Sequence, residues 1–198
     1  MNNHHTDPTD PMGRDKHHLR ERLKHARASL TTEERAEKSR AIAGTLLGLL
    51  EGFDTVMVYV SKEPEVETSG LIEALLERGI EVVVPIIQRE TRTLRLSYLE
   101  DTGVLLPSTF NVPEPVGHEI PADGGVIGAA VIPLIGFDDH CHRLGYGAGY
   151  YDRFLGTHTS VLRIGIAFAC QRAARIPSEA HDIPLHCIVT EDGITRSG

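Results

Sequence analysis

Three neighbouring stretches decide the fold: Thr55-Val-Met-Val-Tyr-Val60, Ser69-Gly-Leu-Ile-Glu-Ala-Leu-Leu-Glu-Arg78 and Glu81-Val-Val-Val-Pro-Ile-Ile87. The first is an almost unbroken β-prone apolar run, the pattern of a strand buried on both faces of a parallel sheet. The second reads as a short helix closed by Gly79, and the third as the next strand. Strand, helix and strand within about 33 residues make a βαβ unit.

Toward the C-terminus, Thr93 to Leu99 reads as another strand, followed by an irregular stretch from Glu100 to Gly125 that holds Pro107, Pro113, Pro115 and Pro121. Val126 to Pro133 predicts a further buried strand, Leu134 to Gly145 a loop, and Tyr150 to Leu155 a helix. Leu162 to Phe168 and Cys187 to Thr190 close the set of strands. Toward the N-terminus, Leu19, Leu23, Ala26 and Leu30 predict an amphipathic helix over Asp15 to Ser29. Thr31-Thr-Glu-Glu34 is a capping box. It opens a helix from Thr32 to about Leu50 that buries Ala36, Ile42, Ala43, Leu46 and Leu50. The expectation is one α/β domain over residues 14–198, an open and mostly parallel sheet flanked by helices on both faces. Residues 1–13, polar and rich in His, Asp, Thr and Pro, read as a disordered leader.

Composition narrows the function. The chain has 198 residues, 40% hydrophobic and 24% charged, which suits a single globular domain. No apolar run approaches the roughly 20 residues of a membrane helix, and the leader lacks a secretory h-region. A cytoplasmic location and no membrane partner are expected. Three cysteines, Cys141, Cys170 and Cys187, argue against a disulfide framework. His140-Cys141-His142 raises the question of zinc, but the usual paired spacings are absent, and the trio reads as a polar loop tip. A net charge of −8 speaks against a nucleic-acid partner. Yet Arg14, Lys16, Arg20, Arg22, Lys24 and Arg27 crowd one segment against Asp15 and Glu21 alone. This is either a solvated helix face or a source of cations for a polyanionic small molecule.

The segment richest in chemistry is Arg143-Leu-Gly-Tyr-Gly-Ala-Gly-Tyr-Tyr-Asp-Arg153. Its alternating glycines Gly145, Gly147 and Gly149 let backbone N–H groups converge at a helix N-terminus, an arrangement suited to phosphate. It is neither a P-loop nor a dinucleotide fingerprint. Arg143, the tyrosines and Asp152 add a cation, aromatic faces and a carboxylate. Asp152, with Asp182 as a second carboxylate, suits Mg²⁺, which takes one or two protein carboxylates beside phosphate oxygens; Asp152 equally suits a first-turn acid facing the helix dipole. Glu63, Glu65 and Glu67 follow the first strand, where open α/β sheets bind ligands. They read either as a solvated acidic loop or as a site for ligand amino groups.

The 143–153 motif, preceded by Val131-Ile-Pro-Leu-Ile-Gly-Phe-Asp138, resembles the signature of the 5-formyltetrahydrofolate cyclo-ligase family. Lys16-His-His-Leu-Arg20, Glu65-Val-Glu-Thr68, Val112-Pro-Glu-Pro-Val-Gly117 and His181-Asp-Ile-Pro-Leu185 resemble further motifs of that family in the same order. The likeness covers about residues 15 to 192. It implies ATP- and Mg²⁺-dependent closure of 5-formyltetrahydrofolate to 5,10-methenyltetrahydrofolate. On this implication Lys16, Arg20, Arg143, Leu144, Gly145, Tyr146, Gly147, Ala148, Gly149, Tyr150 and Tyr151 meet ATP. Val60, Glu65, Tyr146, Gly147, Ala148, Gly149 and Tyr150 meet the folate. Asp152 and Asp182 hold Mg²⁺, and Arg143 and Tyr151 act at the reacting centre. The implied partners are small molecules, with the chain a monomer or weak homodimer.

Three residues depart from the family pattern: Ala148 where glycine is common, Pro64 before Glu65, and His186 where an aspartate is frequent. Ala148 and His186 raise the alternative of a catalytically inactive nucleotide- or folate-binding relative. A sugar-phosphate isomerase or acyl-CoA transferase on a similar fold would have to rely on Glu65 and leaves the glycine loop unexplained.

Overall fold

The computed structural model describes residues 11–179 and 182–197. Four helices, α1 (Pro11–Ala28), α2 (Thr32–Leu49), α3 (Ser69–Glu77) and α4 (Tyr150–Thr157), accompany one eight-stranded sheet. Its strands are β1 (Thr55–Val58), β2 (Glu81–Gln88), β3 (Thr93–Leu99), β4 (Ile120–Pro121), β5 (Ala129–Pro133), β6 (Leu162–Ile166), β7 (Cys187–Thr190) and β8 (Gly193–Arg196).

The strand order is β8-β7-β6-β5-β1-β2-β3-β4. The five central strands from β7 to β2 are parallel, with Val56 opposite both Val82 and Ala129. Antiparallel β8, β3 and β4 complete the two edges. The mostly parallel sheet and its two-sided cover are as expected. On one face, Ile42, Leu46 and Leu50 and the α3 residues Leu71, Ile72 and Leu75 pack on Val56, Val58, Val82, Val84 and Val131. Each such side chain contributes roughly 2 kcal/mol of apolar burial. On the other, Phe154 and Leu155 of α4 pack with Met57, Val83, Ala130 and Ile132. The predicted capping box is present: the Thr31 hydroxyl accepts from the Glu34 N–H at 3.1 Å, and the Glu34 carboxylate accepts from the Thr31 N–H at 2.8 Å.

Several boundaries differ from expectation for local reasons. Helix α1 begins at Pro11, earlier than the apolar spacing indicates, since proline is at home in a first helical turn. The leader reading otherwise concerns residues 1–10, which lie outside the described residues. Strand β1 stops at Val58 because the Thr68 hydroxyl donates to the Tyr59 carbonyl at 2.9 Å, drawing the chain into a loop. Strand β5 starts only at Ala129, after a turn that Asp123 caps by accepting from the Gly125 N–H at 2.7 Å. Strand β6 ends at Ile166, since Gln171 caps the turn that begins at Phe168. Strand β8 was legible but passed over: Asp192-Gly193, with Gly193 at φ 130°, is a hairpin turn signal. No helix among the described residues is long and apolar enough to cross a membrane.

Candidate active site

The parallel strands fill outward in opposite directions from the β1–β5 pair, so this pair is the switch point of the sheet. Open α/β sheets bind ligands in the crevice at such a point, beyond the carboxyl ends of the strands. The loop after β1 carries Glu65, and the loop after β5 leads to the glycine segment. Topology thus brings together two motifs some eighty residues apart in the chain.

The loop after β5 is anchored before it reaches the site. Asp138, fully buried, accepts from the N–H groups of His140, His142 and Ile176 at 2.9 to 3.0 Å, and its Oδ2 lies 3.0 Å from His142 Nδ1. Burial works to raise its pKa, but these hydrogen bonds outweigh it and hold the carboxyl below its ordinary value. Cys141 is buried in this turn, with its thiol pushed up to about 11 by burial, so it does not belong to an exposed polar tip. A short antiparallel pair, 136–137 with 143–144, then presents Arg143. Leu144 turns into the core with Leu23, Ile135 and Ile176, and its carbonyl accepts from the Ile135 N–H at 2.8 Å, so its side chain cannot line a ligand site.

Arg143 is the buried cation of the loop, its side chain 5% exposed. It donates to Asp152 Oδ1 at 2.5 Å, lies 5.7 Å from the centre of the Tyr151 ring, and leaves Nη1 without a partner among the described residues. The glycine segment arches from here to α4. Gly147 and Gly149 hold φ of 96° and 69°, a conformation that a side chain disfavours, and Gly149 is the N-cap of α4. Ala148 is not in that region, so its methyl costs no backbone strain. The Arg20 Nε donates to the Gly145 carbonyl at 2.8 Å, and Arg153 donates to the Ala148 carbonyl at 2.6 Å.

Glu65 faces this arch. Its Oε2 accepts from the Lys62 N–H at 3.1 Å, and its Oε1 accepts from the Tyr146 hydroxyl. Glu63 and Glu67 are exposed, which sets Glu65 apart from them. Val60 is half-buried where the loop leaves β1. Burial first, and then the charge of Glu65, raise the phenols of Tyr146 and Tyr151 well above their ordinary value, so both are neutral donors. Tyr59, buried below them, donates to the Val66 carbonyl at 2.9 Å.

Lys16 is almost fully buried, its ammonium 2.8 Å from Glu179 and 2.9 Å from Asp182. Burial lowers its pKa, but the hydrogen bonds to these two carboxylates outweigh it, and the net shift is upward. The Ile183 N–H donates to Asp152 Oδ1 at 3.3 Å, which ties α4 to the segment that carries Asp182. Asp152 Oδ2 makes no hydrogen bond among the described residues. His186 accepts from the Arg163 N–H at 2.9 Å and is packed against that arginine. His181 lies outside the described residues.

Two further residues border the candidate site, one not singled out in the sequence and one named only within the basic segment. Tyr59 reads simply as a strand residue. Arg27 could have been found: Lys16, Arg20, Leu23 and Arg27 are spaced four, three and four, one face of a helix. Counting apolar positions alone had assigned that face to Leu19, Leu23 and Ala26. Arg27 is 5% exposed, donates to the Tyr146 hydroxyl at 3.3 Å, and leaves Nε without a partner among the described residues.

A curated 5-formyltetrahydrofolate cyclo-ligase of Haemophilus influenzae is 29% identical over 180 residues, covering 86% of this chain and 95% of that protein. The mouse protein of the same name is 28% identical over 188 residues, covering 88% and 92%. The NMR structure of the Aquifex aeolicus 5,10-methenyltetrahydrofolate synthetase superposes with a TM-score of 0.79 at 31% identity, over 91% of this chain and 92% of that one. The corresponding synthetase of Mycoplasma pneumoniae gives 0.74 at 26% identity, over 89% and 99%. The family model for the 5-formyltetrahydrofolate cyclo-ligases matches residues 12–191, and the chain belongs to that family.

Proposed function

We propose that this chain catalyses the ATP-dependent cyclisation of 5-formyltetrahydrofolate to 5,10-methenyltetrahydrofolate. One observation carries the reading: the glycine arch, with Arg20 and Arg143 against it, is bonded through Tyr146 to Glu65 at the switch point. An anion cradle and a carboxylate for ring N–H groups therefore share one crevice.

A formyl oxygen on nitrogen is a poor leaving group, so the γ-phosphoryl group of ATP is first transferred to it and ADP is released. N10 then attacks the activated formyl carbon, the ring closes, and the oxygen departs with the phosphate. The protein aligns the two substrates and neutralises charge, and it supplies no nucleophile. Arg20 and Arg143, with the backbone of residues 145–149 and the ring-bearing Tyr150, take the triphosphate. The unpartnered Nη1 of Arg143 is available to a phosphoryl oxygen. Lys16 joins them by exchanging a carboxylate for phosphate. Glu65, Val60 and the loop from Tyr146 to Tyr150 take the folate, and neutral Tyr151 backs Arg143 at the reacting centre.

Asp152, which keeps one oxygen without a hydrogen bond among the described residues, and Asp182 would be the carboxylates that hold Mg²⁺ in this reading, few protein ligands being the habit of this ion. The chemistry the ion supplies when bound is neutralisation of phosphate oxygens. His186, turned to Arg163, is not among its ligands in this reading. Small molecules are the partners, the location is the cytoplasm, and the chain is a monomer or weak homodimer.

The test mixes purified protein with 5-formyltetrahydrofolate and Mg²⁺, with and without ATP, and follows the near-ultraviolet absorbance of the methenyl product. The expected result is an ATP-dependent rise that Arg143→Ala abolishes in protein that is still folded. ATP binding without any rise would reject the proposal in favour of an inactive relative.

A further inference from the structure

Among the buried cations of this crevice, Lys16 has Glu179 and Asp182, and Arg143 has Asp152. Arg27 has no carboxylate among the described residues. Its guanidinium is held by one long hydrogen bond to Tyr146, and its Nε is buried with no acceptor. A buried guanidinium left so poorly matched points to an acceptor that arrives with a ligand.

The Tyr146 hydroxyl shows what that ligand must offer. It accepts from Arg27 and donates to Glu65, so a single oxygen stands between a fixed donor and a fixed acceptor. Tyr146 is 47% exposed and flanked by Gly145 and Gly147, so the backbone can carry it out of the way. A group that replaces it must place an acceptor toward Arg27 beside a donor toward Glu65. The 2-amino-4-oxo edge of a pterin has this pattern. Its 4-oxo oxygen accepts, the adjacent N3–H donates, and the 2-amino group adds a second donor for the carboxylate.

We infer that Arg27 and Glu65 together read the 2-amino-4-oxo edge, with Arg27 on the 4-oxo oxygen, and that Tyr146 holds the place of that edge until substrate arrives. Arg27 is then a specificity residue, since a 4-amino pteridine presents a donor to a donor. This inference rests on the folate reading above.

The experiment titrates folic acid and its 2,4-diamino counterpart, identical elsewhere, into the full chain by calorimetry. The wild-type protein should bind the 4-oxo compound at least about tenfold more tightly, as expected for a hydrogen bond to a charged donor that turns repulsive. Arg27→Gln should cut that preference several-fold, leaving only what the missing N3–H costs at Glu65, while ATP affinity stays unchanged. Arg27→Met, which keeps the aliphatic stem, gives the same reading should the glutamine variant misfold. A preference that is undiminished in a variant with normal ATP binding overturns the inference, as does a wild-type protein with turnover but no preference. A wild-type protein that neither turns over 5-formyltetrahydrofolate nor binds either pteridine overturns the folate reading as well.

Discussion

Asp138, in the loop after β5, and Arg27, near the end of α1, are ionisable groups withdrawn from water to a similar degree. Asp138 receives three backbone N–H groups and faces the His142 ring. Arg27 has one hydrogen bond at 3.3 Å and an unpartnered Nε. A buried charge whose valences are filled by its own chain holds a structure together, and breaking it is costly. A buried charge left short of partners weakens the fold or is neutral to it, and is kept for what binds there. The two residues thus separate the scaffold of the site from its working surface.

The largest expected effect is on the scaffold. Asp138→Ala strands buried N–H groups and should lower stability by about 3–5 kcal/mol, read from the urea midpoint at neutral pH. A loss below about 1 kcal/mol would break the comparison. The pH dependence comes next. Because the folded pKa of Asp138 lies below its unfolded value, its contribution is fully present above about pH 4 and is lost as pH falls through the folded value. The stability gap between the wild type and Asp138→Asn should therefore shrink from about 2 kcal/mol at pH 7 as the pH drops below 4. A gap that is constant with pH would show that the carboxylate charge is not what holds the loop. The smallest effect is expected for Arg27→Met, within about 1 kcal/mol of the wild type in either direction, although recognition of the pteridine suffers. A loss of several kcal/mol there would place Arg27 with Asp138 as scaffold.

Legibility in the sequence followed the same division. Strands β1, β2 and β5 were plain because valine and isoleucine runs suit strands covered on both faces. Helix α2 was plain because Thr31 and Glu34 cap it and Ile42, Leu46 and Leu50 repeat on one side. The short edges escaped notice, since two to four residues carry too little pattern, although Asp192-Gly193 marked one of them. Arg143, Gly147, Gly149, Glu65 and Asp152 were singled out as candidates through spacing and family resemblance. Arg27 was named only within the basic segment, because a cation on a helix is ordinarily solvated, and only packing shows that this one is enclosed. Cys141 was misread for the converse reason: its polar neighbours suggested a loop tip, while the turn around Asp138 folds it inward.

By itself the sequence determined the order of the helices and the longer strands, the parallel core and the glycine segment, because these follow from short-range patterns of apolar spacing, capping and backbone freedom. The tertiary structure alone decided that the loops after β1 and β5 meet, since these strands become neighbours only through long-range pairing. It likewise decided which charges are filled and which are left open. Whether an ion is satisfied depends on what packs around it, and no local spacing along the chain records that.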